Sequence, residues 1–280
     1  MIKNFVLNNS NEIPAIGFGT WQIDEGENAY QAVKTALEKG YTHIDTAAVY
    51  GNEVSVGKAI KDSGIARENL FVTTKLWNDM RGYENAKKAF QISLDKLGLE
   101  YIDLYLLHWP ANETQFPEDW QKINEESWKA LEDLQKEGKV KAIGVSNFMV
   151  NHLEALLENA TVVPAVNQIE FHPGFTQPEV VELCKNNNIL VQAWSPLGSG
   201  RILQDETLKL IAEKHNVSVG QVCIKFAIQQ GVLPLPKSEN PTNIENNLLV
   251  DFELSQEEIE QLSNLDETGF SGLNPGNINF

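Results

Sequence analysis

Four side chains able to move protons stand at, or just beyond, the C-terminal ends of short apolar runs. Asp45 closes Thr42-His43-Ile44-Asp45, with Tyr50 a few residues on. Lys75 closes Leu70-Phe71-Val72-Thr73-Thr74-Lys75, and His108 follows Asp103-Leu104-Tyr105-Leu106-Leu107. A phenol beside an ammonium, a carboxylate and an imidazole is a set suited to placing a proton on a carbonyl oxygen. A free phenol titrates near about 10 and is a poor donor at neutral pH. A neighbouring ammonium favours the phenolate and is expected to lower that value, with Asp45 holding Lys75 charged. A neutral His108 could donate a hydrogen bond that orients the carbonyl. Such a set supplies a proton but no electrons, so the reducing equivalent has to come from a cofactor.

Each of the four also has a purely structural reading. Asp45 could cap the following turn, Tyr50 could be a loop aromatic, and Lys75 could extend to solvent. His108, before Trp109-Pro110, could be a satisfied core histidine. Their common placement is what favours chemistry. In a chain of alternating strands and helices, the C-terminal strand ends face one mouth.

The strand candidates are Ala15–Gly19, Thr42–Asp45, Leu70–Lys75, Asp103–Leu107, Val140–Val145, Ala165–Ile169, Ile189–Trp194 and Val232–Leu235. They are short and almost continuously apolar, as strands buried on both faces are. Helical patterns separate them; Ala86, Phe90, Leu94 and Leu97 recur at helical spacing before Gly98. Thr176-x-x-Glu179, Ser218-x-x-Gln221 and Ser255-x-x-Glu258 read as capping boxes at helix starts. The alternation predicts a single (β/α)8 TIM barrel spanning residues 1–280, with an open doubly wound sheet as the alternative. Phe5 to Pro14, with Asn8-Asn9-Ser10-Asn11 at the turn, reads as an N-terminal β-hairpin.

Composition narrows the function classes. A net charge of −17 with no basic run argues against nucleic-acid binding. No apolar stretch is long enough for a bilayer, and the first residues lack signal-peptide character, so a soluble, cytoplasmic protein without membrane partners is expected. Cys184 and Cys223 read as two reduced thiols. The five histidines have neither H-x-x-x-H spacing nor cysteine neighbours, so no metal site is expected. There is no G-x-G-x-x-G, P-loop or G-x-S-x-G. A nucleotide would have to bind without the familiar glycine-rich cradles.

The chain resembles the aldo-keto reductases over nearly its whole length, closest to the bacterial branch with glyoxal/methylglyoxal and 2,5-diketogluconate reductases. The matching stretches are Gly17-Phe18-Gly19-Thr20-Trp21, His43-Ile44-Asp45-Thr46-Ala47-Ala48-Val49-Tyr50, Thr74-Lys75-Leu76-Trp77 and Leu107-His108-Trp109-Pro110. They continue with Gly144-Val145-Ser146-Asn147-Phe148, Val166-Asn167-Gln168, Ala193-Trp194-Ser195-Pro196-Leu197 and Pro236-Lys237-Ser238.

The resemblance implies reduction of a small-molecule carbonyl by NADPH, with Asp45, Tyr50, Lys75 and His108 as the catalytic set and Tyr50 as general acid. It implies that Ser146, Asn147 and Gln168 hold the nicotinamide carboxamide and that Trp194 stacks on the ring. Thr20 also falls in the implied cofactor site. Ser195, Leu197 and Ser199 would meet the pyrophosphate, Lys237 and Ser238 the 2′-phosphate, and Asn243 and Asn247 the adenosine end. Trp21, Trp77 and Trp109 would line the substrate mouth of a monomer.

In the family an Arg usually follows Pro-Lys-Ser after four residues, and then a Glu-Asn pair. Here the ungapped register gives Asn243, Asn246 and Asn247; a one-residue shift restores Glu245-Asn246 but puts Thr242 in the Arg position. Neither supplies the Arg, which suggests that NADH is tolerated beside NADPH. The loop Ala111–Glu126, with Phe116 and Trp120, is expected to form one side of the pocket. The tail Asp266–Phe280 is expected to be mobile and to lie across the opening. Two other readings stand beside the reductase: a cofactor-binding regulatory protein with little turnover, and an aldolase using Lys75 as a Schiff-base nucleophile.

Overall fold

The computed structural model describes residues 4–280. A two-stranded antiparallel hairpin, β1 (Phe5–Val6) and β2 (Glu12–Ile13), precedes eight parallel strands. These are β3 (Phe18–Gly19), β4 (His43–Asp45), β5 (Phe71–Leu76), β6 (Ile102–Leu107), β7 (Val140–Ser146), β8 (Val166–Glu170), β9 (Leu190–Trp194) and β10 (Leu233–Pro234). Each strand pairs with its successor in the chain. The Gly17 and Gly19 amides donate to the Pro234 and Pro236 carbonyls at 3.1 and 3.0 Å, joining the last strand to the first and closing the (β/α)8 barrel. Glycine is required at this seam. A Cβ on Gly17 would stand 2.5 Å from both His43 Nδ1 and Leu235 Cδ2.

Helices α1 (Glu27–Glu38), α2 (Glu53–Asp62), α3 (Tyr83–Leu97), α4 (Trp120–Lys136), α5 (Val150–Asn159) and α6 (Pro178–Asn186) follow successive strands. After β9 come α7 (Glu206–His215) and α8 (Val219–Gln229); α9 (Pro241–Asn246) and α10 (Gln256–Ser263) follow β10. Their apolar faces form the outer core against the sheet. Inside the barrel, Leu104, Leu106, Val166 and Leu233 pack with Leu7 and Ile13 of the hairpin region, which plugs the N-terminal end. Asn8 and Asn9 fasten that plug to the Pro164 and Lys141 carbonyls at 3.0 Å each. With one end closed, the open C-terminal end is where side chains can meet a ligand. Among the described residues no helix is long and apolar enough to cross a membrane.

Ser218 and Ser255 form the expected capping boxes on α8 and α10. Thr176 does not. Pro178 occupies the first turn of α6, where its fixed φ and missing N–H fit, so Gln177 takes the cap position. The expected loop 111–126 is also shorter, because α4 begins at Trp120. Buried Trp120, Asn124, Ser127, Trp128 and Leu131 make one continuous helical face, and Asn124 holds both the N–H and C=O of Ala111 at 2.8 and 3.0 Å.

Candidate active site

Asp45 ends β4 and Lys75 lies on β5, so parallel pairing brings their side chains together above the apolar barrel interior. Lys75 Nζ donates to Asp45 Oδ1 at 2.6 Å and to the Thr46 carbonyl at 2.8 Å. It also lies 3.3 Å from the Tyr50 hydroxyl. Lys75 is fully buried and Asp45 nearly so. An ammonium so enclosed is stable only because its charge is matched on the spot. Burial acts to lower the Lys75 pKa, but Asp45 and Tyr50 outweigh it and hold the ammonium above its ordinary value.

Tyr50 sits on a single helical turn after β4, Ala48–Tyr50, closed by Gly51 in the left-handed region at φ 73°. Asn52 fixes this loop from beneath. Its amide donates to the Thr20 and Ile23 carbonyls at 2.9 and 3.0 Å and its oxygen accepts from Thr46 at 2.8 Å. Burial, the largest influence on the Tyr50 hydroxyl, raises its pKa; Lys75 pulls it down and Asp45 pushes it up. The balance lies above the ordinary phenol value, the reverse of the net lowering expected from sequence, because enclosure and the carboxylate outweigh the ammonium. Tyr50 is half-buried and lines the groove.

His108 follows β6 and meets the Tyr50 ring edge-on at 5.6 Å and the Trp77 ring at 5.2 Å. Burial and then the Lys75 charge hold its pKa well below the usual imidazole value, so it is neutral at physiological pH. Asp45 has a second anchor. Gln168 Nε2, from β8, donates to Asp45 Oδ2 at 2.9 Å and to Gln192 Oε1 of β9 at 2.9 Å. The donors of Gln168 are thereby occupied, which leaves its oxygen as the acceptor toward the groove.

The groove is one continuous cavity of about 940 Å³. Asp45, Tyr50, His108, Trp21, Trp77 and Trp109 line one end; Ser146, Asn147, Gln168 and Trp194 line the middle. Ser195, Leu197 and Ser199 continue the wall toward Lys237, Ser238, Asn243 and Asn247 at the far end. Lys75 stands behind the wall. So does Thr20, which is fully buried with its hydroxyl on the Asp45 carbonyl at 3.1 Å, so it lies outside the groove where the resemblance implied cofactor contact.

Asn147 adopts φ 62°, a conformation asparagine tolerates better than most residues. It donates to the His108 carbonyl at 3.0 Å and accepts the Trp194 indole N–H at 2.8 Å, which sets the indole in the wall. Of the two registers left open by the sequence, the ungapped one names residues that line the groove. Asn243, Asn246 and Asn247 face the groove, Thr242 does not, and Glu245 pairs with Lys39 at 2.7 Å.

The C-terminal tail crosses the mouth, as expected, but it is pinned. Asn112 donates to the Pro275 and Ile278 carbonyls, Ser271 holds Glu170, and Phe280 stacks on Trp77 at 5.6 Å and meets Trp109 edge-on at 5.4 Å. Phe280 and Leu273 therefore join the aromatic wall. Phe116 and Trp120 do not reach it; Trp120 packs on His152. Asn52, Gln192 and Phe280 escaped the sequence reading, since their roles come from contacts distant along the chain. Only the polar types at buried strand and loop positions signalled Asn52 and Gln192.

A parallel eight-stranded barrel with a charged, partly enclosed groove across its C-terminal strand ends has the architecture of a barrel enzyme. The chain belongs to the aldo/keto reductase family, whose profile matches residues 15–267, and it is an oxidoreductase of that family. It is 47% identical over 275 residues to a glyoxal reductase of Bacillus subtilis (strain 168), covering 98% of this chain and 96% of that protein. Among solved structures it is similar to an aldo-keto reductase from a Medee basin deep-sea metagenome library (44% identity, TM-score 0.93, 99% of this chain and 100% of that one). It is also similar to a Bombyx mori aldo-keto reductase in complex with NADP (38% identity, TM-score 0.87, 95% and 93%).

Proposed function

We propose that this chain reduces small aldehydes and ketones, of the α-dicarbonyl or keto-sugar type, to alcohols, with NADPH as the preferred cofactor. The observation that carries this reading is the buried Asp45–Lys75 pair within 3.3 Å of a phenol that lines the groove. Tyr50 donates its proton to the carbonyl oxygen. Lys75, held charged by Asp45, stabilises the phenolate left behind. Neutral His108 orients the carbonyl, and the aromatic wall of Trp21, Trp77, Trp109 and Phe280 excludes water around it. The nicotinamide, when bound, supplies hydride to the carbonyl carbon.

The groove suits such a cofactor. Gln168 presents its free oxygen, with Ser146 and Asn147, to the carboxamide, and Trp194 offers its face to the ring. The Ser195–Ser199 segment combines three left-handed residues, Ser195, Gly198 and Ser199, a backbone type that forms anion-binding nests for a pyrophosphate. Lys237 and Ser238 receive the 2′-phosphate, with Asn243 and Asn247 beside the adenosine. Asn243 in place of Arg removes a charge-assisted hydrogen bond worth about 1.5–3 kcal/mol, so NADH is tolerated. The same burial counts against an aldolase: a Lys75 held as ammonium by two oxygens at 2.6 and 2.8 Å is no nucleophile.

Absorbance at the reduced-nicotinamide band, with NADPH and NADH in parallel and methylglyoxal as substrate, tests the proposal. Consumption of NADPH, with NADH less than several decades behind in kcat/KM, is expected. Binding of both cofactors without turnover of any aldehyde would replace it with the regulatory reading.

A further inference from the structure

Of the described residues that line the groove, Lys237 is the only one with a cationic side chain. It is not unengaged. Its Nζ lies 2.9 Å from Glu239 Oε1, two residues along, and both side chains are partly exposed, at 34% and 44%. Among the described residues that line the groove, no second cation stands beside Lys237. Asn243 faces the groove without charge, and the Ser238 hydroxyl accepts the Asn240 amide at 3.1 Å. The net charge of −17 adds a repulsive background for any polyanion.

We propose that Glu239 is a specificity-determining residue that competes with the cofactor 2′-phosphate for Lys237. The inference rests on the dinucleotide reading of the groove given above. A phosphorylated ribose at Lys237 has to share the ammonium with the carboxylate or displace it, and in either case stands near it as a like charge. A ribose without the phosphate leaves the ion pair intact. Glu239 therefore acts on one cofactor and not the other, and a difference in affinity is what sets specificity. Because the pair is in contact with water, the effect is modest and weakens as salt screens it.

The test is equilibrium binding to the full chain, read by tryptophan fluorescence or calorimetry. The ligands are NADP+, NAD+, 2′,5′-ADP and 5′-ADP; the proteins are wild type, Glu239→Gln, Lys237→Met and the double variant. Glu239→Gln is expected to tighten NADP+ and 2′,5′-ADP by about two- to five-fold at low ionic strength. NAD+ and 5′-ADP should be unaffected, and the gain should shrink as salt rises. In the Lys237→Met background the same substitution should gain less. Equal shifts for both ligand classes, no shift, or weaker NADP+ binding in Glu239→Gln would overturn the inference while leaving the cofactor reading in place. Failure of wild type to bind any of the four would instead remove the cofactor reading, and this inference with it.

Discussion

The two ends of the groove are built on opposite principles. At the mouth, Asp45, Lys75, Gln168 and Gln192 form a buried chain of contacts of 2.6 to 2.9 Å. At the far end, proposed above to take the adenosine, Lys237, Glu239 and Ser238 lie on a partly exposed loop leading into a six-residue helix. Buried charge pairs are costly to break because the survivor is left unmatched, whereas exposed pairs are worth little and are screened. On the proposed reading, the proton chemistry sits on buried, mutually matched charges, while cofactor choice would be set by surface charges that single substitutions can retune.

The strongest challenge to this contrast is Tyr50→Phe. It should lower kcat by about 10²–10⁴-fold, while the dissociation constant for NADPH, read by fluorescence, stays within a few-fold. Loss of binding in parallel with turnover would mean that the mouth is not a separate chemical unit.

Acid should also find the buried end first. His43, fully buried below Asp45 with Nε2 3.0 Å from Thr73 Oγ1, has a pKa lowered by burial, and then by Lys75, from 6.5 to about 3. A base whose folded pKa is depressed contributes stability that is complete above its unfolded value and is lost as pH falls toward the folded one. Stability should thus decline between about pH 6.5 and about 3. Urea midpoints measured over that window should fall less steeply in His43→Gln, and identical slopes would exclude His43 as the source.

Asn243→Arg sharpens the other side. Restoring the charge-assisted contact should raise NADPH affinity by about 10- to 100-fold and leave NADH affinity near its original value. An equal gain for both cofactors would show that Asn243 does not face the 2′-phosphate. Glu239→Gln is expected to give the smallest of these shifts.

Sequence reading located the mouth better than the far end. Continuous apolar runs carried the strands to within a residue or two from β4 to β10; β3 is the exception, because residues 15–17 lie outside its ladder. The placement of Asp45, Tyr50, Lys75 and His108 follows from strand order alone, so it was legible. Gln192 was not, since its meaning lies in a contact with Gln168 on the next strand. The Phe280 stack on Trp77 joins residues about 200 positions apart and depends on the tail being pinned by Asn112. Thr176 shows the limit of a local motif: a capping box two residues ahead of a proline loses to the proline. The sign of the Tyr50 shift required burial, which no spacing of residues supplies.

The most direct test of the account is the pH profile of kcat for reduction in Lys75→Met against wild type, with circular dichroism confirming that both are folded. Lys75 is the influence that lowers the Tyr50 pKa, with Asp45 and burial opposing it. Its removal should therefore move the alkaline limb, where the phenol ionises and donation stops, to higher pH, together with a lower plateau. Superimposable profiles would contradict the claim that the buried ammonium tunes the phenol.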